Sequence, residues 1–208
     1  IIDGLGNYLL SSDLTVAASG DLTIAAGVEL KSNNGHHHVI VDGQLQGTGV
    51  TLDLLDYESY GQYSTLEVRN GGQASLTDST IVSQNTYGRI EVRDGGQLDL
   101  TDVTVQDTSS GLRATYHSGS AGTISGTTGN WDLYLYSDGV LVTGGTEVDQ
   151  VTTSGSSTIG PCGPCSAGLG ERRGSFPLAS ETATSSPTST ASSSPPSSMR
   201  RESGSSVW

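Results

Sequence analysis

Hydrophobic and polar residues alternate with a period of two through two similar stretches of the chain. "LEVRNGGQASLTDSTI" runs from Leu66 to Ile81, and "IEVRDGGQLDLTDVTV" repeats it from Ile90 to Val105. A period of two is typical of β-strands that bury one face. The Asn-Gly-Gly and Asp-Gly-Gly steps within the copies predict tight corners, because Asn, Asp and Gly accept a positive φ at low cost.

When the two copies are superposed, every inward position of the first meets an apolar residue of the second. The pairs are Leu66 with Ile90, Val68 with Val92, Ala74 with Leu98, Leu76 with Leu100, and Ile81 with Val105. This match predicts that each copy is one coil of a solenoid and that the coils stack at about 4.8 Å. Weaker copies begin at residues 22, 39, 112 and 133, so the sequence predicts an all-β parallel β-helix of about six to seven coils.

Two further stretches carry a family resemblance. "GDLTIAAGV" (Gly20 to Val28) and "VDGQL" (Val41 to Leu45) resemble the opening coils of right-handed, single-stranded parallel β-helix modules in large bacterial secreted and surface proteins. The resemblance covers most of residues 8–105. It implies the right-handed fold, and it implies an adhesin, an autotransporter-like passenger or a pectate-lyase-like scaffold. The chain departs from such modules in being short and in lacking a recognisable C-terminal cap.

The composition changes abruptly near residue 160. All six prolines and both cysteines, Cys162 and Cys165, lie beyond it, and 16 of the 19 residues from Ser180 to Ser198 are Ser, Thr or Pro. Such a segment buries too little apolar surface to offset its chain entropy. We therefore predict a β-helix over residues 1–160 and a disordered, low-complexity tail over 161–208. The Cys-Gly-Pro-Cys spacing matches thioredoxins, but no helix pattern follows it, which favours a local disulfide or free thiols.

The net charge of −13 narrows the range of partners. An acidic surface repels phosphate, so we expect no nucleic-acid partner. No apolar run reaches the roughly 20 residues that a membrane-spanning helix requires, so we expect no membrane span. The remaining partner that the sequence indicates is a cell-surface or matrix polysaccharide.

The outward positions of the repeat place like residues in columns. Glu67 falls over Glu91 and Arg69 over Arg93, with Arg113 expected next in the Glu column and Tyr134 and Tyr136 continuing the two columns. One interpretation is a solubilising face. The other is a glycan-binding strip formed by Asp132, Tyr134, Tyr136 and Arg113, beside Trp131, since flat aromatic rings stack on sugars.

Candidate metal ligands are sparse. Asp78, Asp99 and Asp102 lie on one side of the predicted coils and are weak candidates for Ca²⁺, which takes six to eight oxygen ligands. The alternative is that these are turn-forming residues that bond their own backbone. His36 and His38 point to the same face of an extended segment, but two ligands alone do not make a zinc site. We therefore expect no cofactor.

No catalytic arrangement emerges from the chain. Lys31 is the single lysine, and no pair of Asp residues sits beside a His or Arg as in β-helix lyases and hydrolases. The first hypothesis is a non-catalytic, extracellular or cell-surface β-solenoid that acts as a stalk or adhesin scaffold, with weak glycan binding at most. The alternative is a fragment of a carbohydrate-active enzyme, either a polysaccharide lyase or a glycoside hydrolase, on a β-helix scaffold.

Overall fold

Short strands follow one another along the whole described part of the chain. The structure, a computed structural model, describes residues 2, 6–32, 37–53, 64–83, 88–107, 112–154 and 158–159. These residues form 20 β-strands and contain no helix. Strand bounds are given below, with the strands numbered in chain order.

The strands form three sheets. Sheet 1 contains β1 (Gly6–Leu10), β4 (Val28–Ser32), β7 (Thr51–Asp53), β10 (Thr80–Ser83), β13 (Thr104–Asp107) and β16 (Thr128–Gly129). Sheet 2 contains β2 (Leu14–Val16), β5 (Val39–Val41), β8 (Thr65–Val68), β11 (Arg89–Val92), β14 (Leu112–Tyr116), β17 (Trp131–Leu135) and β19 (Gln150–Thr153). Sheet 3 contains β3 (Asp21–Ile24), β6 (Gln44–Thr48), β9 (Gln73–Thr77), β12 (Gln97–Thr101), β15 (Ala121–Ser125), β18 (Gly139–Val142) and β20 (Thr158–Ile159).

Consecutive strands belong to different sheets, and every pairing within a sheet is parallel and joins strands one coil apart. The chain therefore winds as a parallel β-helix. Sheets 2 and 3 each contain seven strands, which gives seven coils within the described residues. The predicted all-β solenoid class and its six to seven coils are confirmed.

The predicted register is also confirmed. Leu66 pairs with Ile90, Leu76 with Leu100, and Ile81 with Val105. These side chains are fully buried, and they pack with their counterparts from the other coils into one continuous apolar core. Since one buried face fixes the register of a strand, the alternation in the sequence determines how the coils stack.

The paired glycines of the corners have two different roles. Gly71 and Gly95 adopt positive φ values of 76° and 78°. Gly72 and Gly96 do not, but a Cβ atom at these positions would lie 2.3 Å from the Val41 carbonyl oxygen and 2.4 Å from the Val68 carbonyl oxygen. The first glycine of each pair therefore makes the turn, and the second lets the corner approach the backbone of the preceding coil.

One predicted coil start is wrong. The sequence pattern predicts that Leu22 and Val39 begin successive coils and stack on each other. Leu22 instead pairs with Leu45 in sheet 3. The partner of Val39 in sheet 2 is Leu14. The strands "LTV" and "LTI" have the same apolar alternation, so the pattern alone does not tell which of the two begins the coil.

Several predictions concern residues that the structure does not describe. Residues 161–208, with Cys162 and Cys165, lie outside the described residues, as does His36. The proposed boundary near residue 160 and the disordered tail stay predictions. Over the part of the chain that the structure describes, no helix is long and apolar enough to cross a membrane.

Candidate functional site: the outward face of sheet 2

Parallel stacking places the outward side chains of sheet 2 in three columns. The first column is Thr65, Arg89, Arg113, Asp132 and Gln150. The second is Ile40, Glu67, Glu91, Thr115, Tyr134 and Thr152. The third follows the ends of the strands and is Asp42, Arg69, Arg93, His117, Tyr136 and Ser154. Neighbours within a column belong to adjacent coils, so their side chains are within reach of one another.

The columns confirm part of the predicted surface and correct another part. Glu67 stacks on Glu91, and Tyr134 continues that column. Arg113, however, pairs with Arg89 in the first column and not with the glutamates. The expected position was wrong because Ala114, and not Leu112, is the inward residue opposite Ile90. Both residues are buried and have the same parity, so alternation alone allows either alignment.

Four residues in the first half of this face form what we call the charged patch: Asp42, Glu67, Arg69 and Arg93. Arg69 Nε lies 2.9 Å from Asp42 Oδ1, and Arg69 Nη1 lies 3.3 Å from Glu67 Oε2. The guanidinium of Arg93 binds the other carboxylate oxygen of Glu67, whose side chain is only 11% exposed. Glu67, in the second column, thus offsets the like charges of Arg69 and Arg93, which stack in the third.

Hydrogen bonds shift the pKa values of two residues of the charged patch, Asp42 and Arg69. The hydrogen bond from Arg69, followed by one from Asn70, holds the pKa of Asp42 below its usual value. The hydrogen bond to Asp42 in turn raises the pKa of Arg69, assisted by the charge of Glu67. Both shifts favour the ionised pair, so the charged patch satisfies its own charges.

Five residues in the second half of this face form what we call the aromatic patch: Arg113, His117, Asp132, Tyr134 and Tyr136. The guanidinium carbon of Arg113 lies 4.7 Å from the centroid of the Tyr134 ring, within range of a cation–π interaction. The Tyr134 and Tyr136 ring centroids are 6.4 Å apart, and the rings are inclined by 43°. The predicted strip is therefore brought together, and Tyr136 is 39% exposed.

His117 contacts both Tyr136 and Glu91, and the sequence-based predictions did not include it. Its ring centroid lies 6.4 Å from that of Tyr136, and its Nε2 atom lies 2.5 Å from Glu91 Oε2. The signal was present, because His117 follows Arg93 by the same 24 residues that separate Arg93 from Arg69. Extending the third column by one more repeat would have found it.

Trp131 does not belong to the site. Its side chain is fully buried, and its indole N–H donates a 2.8 Å hydrogen bond to the Glu147 carbonyl oxygen. Trp131 has the same parity as Leu133 and Leu135, which are also buried. The alternation that turns Tyr134 and Tyr136 outward therefore turns Trp131 into the core, so Trp131 is adjacent to the strip in sequence but does not contribute to its surface.

Asp132 has an environment of its own within the aromatic patch. It lies opposite Arg113 on one side and Gln150 on the other. Partial burial raises the pKa of its carboxyl, the charge of Arg113 opposes this, and the charge of Asp149 adds to it. The carboxylate is therefore partly desolvated and retains the capacity to accept hydrogen bonds.

The weak Ca²⁺ candidates occupy two kinds of position. Asp78 and Asp102 lie in corners with φ values of 48° and 52°, where their N–H groups donate to the Thr101 and Ser125 carbonyls. Asp99 accepts hydrogen bonds from Gln97 Nε2 and from the Thr123 N–H, both at 2.8 Å. Among the described residues, no group of three or more His, Cys, Asp or Glu side chains could hold a metal ion.

Comparison with protein-family models, with curated proteins and with solved structures finds no significant match to this chain. The fold and the geometry of the outward face are therefore the basis for any functional conclusion.

Proposed function

We propose that the chain is a non-catalytic β-solenoid segment of an extracellular or cell-surface protein, where it acts as a stiff stalk or adhesin scaffold with weak glycan binding. The observation that carries the proposal is the parallel stack of seven coils within the described residues, in which strands pair with those of the neighbouring coils. A stack built from contacts between neighbouring coils makes a stiff rod, and its length depends on the number of coils.

The ion pairs within the charged patch support this role. An active site requires charged groups that are held ready for a substrate, yet Glu67 is shared between Arg69 and Arg93, and Arg69 also binds Asp42. On sheet 1, Lys31 Nζ lies 2.8 Å from Asp53 Oδ2, and this contact raises the pKa of Lys31. A lysine that is held protonated is a poor general base. These pairs stabilise a surface.

The resemblance of Gly20–Val28 and Val41–Leu45 to bacterial surface β-helix modules supports the extracellular location and the family assignment, both of which are part of the proposal. The aromatic patch supports the glycan-binding component. The half-buried Tyr134 and the exposed Tyr136 point outward and add nothing to the stiffness of a rod, whereas tyrosine rings stack well on the C–H faces of sugars.

A coil deletion tests the scaffold. Removing residues 66–89 joins Thr65 to Ile90 and keeps every core column in register, because Leu66 and Ile90 are stacked equivalents. We expect a folded protein that is shorter by about 4.8 Å, as measured by small-angle scattering. Removing residues 66–77 is the matched control; it breaks the register and should prevent folding. If the two deletions gave the same result, coil stacking would not be the basis of the molecule's length.

An assay for polysaccharide depolymerisation tests the non-catalytic part of the proposal. The chain is incubated with neutral and uronate-containing polysaccharides at several pH values, with and without Ca²⁺, and reducing ends and unsaturated products are measured. We expect no product above the level of a heat-unfolded control. Product release would reject the scaffold and support the carbohydrate-active enzyme.

A further inference from the structure

Among the described residues, long side chains support the two tyrosines of the aromatic patch from one neighbouring coil only. Arg113 covers Tyr134 and His117 contacts Tyr136, and both supporting residues come from β14 and the residue that follows it. Tyr134 lies in β17 and Tyr136 directly follows it, and the supporting side chains come from the neighbouring coil that contains β14. Because Arg113 is occupied by the ring of Tyr134 and faces Asp132, it acts as a positioning residue for that ring.

The opposite side of the rings faces much smaller side chains. Thr152 lies opposite Tyr134, and Ser154 lies opposite Tyr136, because the Ser154 N–H donates to the Leu135 carbonyl. Thr and Ser are too short to cover a phenol ring. The change from a tyrosine coil to a Thr/Ser coil forms a step, which we call the tyrosine ledge: Tyr134 and Tyr136 form its wall, and Thr152 and Ser154 form its floor.

The inclination of the rings limits the shape of the ligand. A flat crystalline surface requires platforms that lie in one plane, but the two rings are inclined by 43°. The centroid separation of 6.4 Å also keeps them from sharing one sugar face. Each ring can instead stack on its own pyranose, and successive pyranoses of a single twisted chain change orientation in this way.

The charges around the ledge limit the chemistry of the ligand. Asp132 and Asp149 lie near each other, and Glu147 and Asp149 are exposed. The whole chain has a net charge of −13. The cation of the patch, Arg113, is already engaged with Tyr134. Within the described part of the chain, a uronate or a sulfated sugar at the ledge would meet the carboxylates of Asp132 and Asp149, whereas sugar hydroxyls would find acceptors in Asp132 and Gln150.

We propose that the tyrosine ledge binds two adjacent pyranose units of a single, uncharged polysaccharide chain, with one sugar stacked on each tyrosine and their hydroxyls bonded to Asp132 and Gln150. This inference rests on the glycan-binding part of the proposed function and specifies the class of ligand. It excludes uronate polymers and crystalline polysaccharide surfaces.

Affinity gel electrophoresis with the intact chain tests the ligand class. The native gels contain galactomannan, hydroxyethyl cellulose or dextran as neutral soluble polymers and polygalacturonate as the anionic one; microcrystalline cellulose is tested separately by sedimentation. We expect retardation by at least one neutral polymer, and no binding to polygalacturonate or to the crystalline solid. Binding only to polygalacturonate, only to crystalline cellulose, or to none of the probes would overturn the proposal.

Variants of the ledge test the location of binding. Tyr136→Ser should weaken the binding about fivefold to tenfold, and the double variant with Tyr134→Ser should abolish it. The Tyr134→Phe/Tyr136→Phe variant keeps the rings and should retain most of the affinity. Leu141→Ser, which removes a similarly exposed hydrophobic side chain (42% against 39% for Tyr136) on sheet 3, is the matched control and should bind like the parent.

The outcomes separate this inference from the proposed function. Unchanged binding by the double Ser variant, with an unchanged thermal melt, would place the ligand elsewhere and reject the ledge while leaving the scaffold intact. Loss of binding by the double Phe variant would reject stacking as its basis. Product release in the depolymerisation assay would reject the scaffold even if the ledge bound a neutral polymer.

Discussion

The charged patch and the aromatic patch lie on the outward face of the same sheet and share its second and third columns, yet they differ in which neighbouring coils their side chains contact. In the charged patch, Glu67 and Arg69 each contact more than one opposite charge from their own or the neighbouring coils. In the aromatic patch, Tyr134 and Tyr136 are supported from one coil and face small residues on the next. The difference comes from the outward residues alone, because the backbone of both coils repeats the same parallel stacking. In the function we propose, this lets one coil of a scaffold carry a glycan-binding site.

The largest expected effect comes from a substitution in the apolar core that both patches share. Leu100 is fully buried between Leu76 and Ile124 of the adjacent coils. Leu100→Asp places an unpaired charge in that column and should lower the free energy of unfolding by at least about 3 kcal/mol. Thr101→Asp, on the outward side one residue later, should cost much less. Thermal and urea melts compare the two variants; equal losses would reject the inward assignment.

A smaller effect should distinguish the patches from each other. Glu67→Gln removes the charge that Arg69 and Arg93 share, and we expect a loss of roughly 1 kcal/mol, since the pairs are partly exposed. Tyr136→Ser should leave the free energy of unfolding nearly unchanged, although it weakens glycan binding. Urea denaturation measures both. A Tyr136→Ser variant that lost as much stability as Glu67→Gln would mean that the aromatic patch is structural.

The sequence predicts the inward columns of the β-helix far better than it predicts the two surface patches. The inward columns follow from alternation because a shift of one residue would expose the whole apolar set. The column of Arg113 does not follow, since Leu112 and Ala114 are both buried and the alignment depends on how the chain enters β14. The step at Thr152 and Ser154 depends on a coil whose sequence, "QVTTS", has little similarity to its stacked equivalent "TLEVR", so no repeat comparison indicates it.

The lowered pKa of Asp42 makes the contribution of the charged patch to stability depend on pH. Its pKa is lower than usual because Arg69 and Asn70 donate hydrogen bonds to it. A carboxyl with a lowered folded-state pKa stabilises the fold above the unfolded pKa of about 3.9, and this contribution is lost as the pH falls through the folded pKa. We therefore expect Asp42→Asn to lower the melting temperature at about pH 7, by an amount that shrinks progressively as the pH falls below about 3.9.

The control for that variant is Asp21→Asn, an exposed residue whose loss also removes one negative charge from an acidic chain. The difference between the two melting curves isolates the contacts of Asp42 from the relief of general repulsion. An Asp42→Asn variant that melted like Asp21→Asn at every pH would show that the Arg69 contact contributes nothing to stability.

The smallest expected effect has the opposite sign and belongs to the aromatic patch. Burial raises the pKa of Asp132 and Asp149 adds to the shift, while Arg113 opposes it. A carboxyl with a raised folded-state pKa costs stability when it is ionised, so the cost is present above the folded pKa and disappears below the unfolded value of about 3.9. We expect Asp132→Asn to raise the melting temperature slightly at about pH 7, beyond the change seen in Asp21→Asn, and to leave it unchanged at about pH 2. Because the amide oxygen of Asn still accepts hydrogen bonds, the variant should also retain most of its binding to a neutral polymer. A lowered melting temperature at neutral pH would show that the pairing of Asp132 with Arg113 outweighs its desolvation, and that the two patches both satisfy their charges internally.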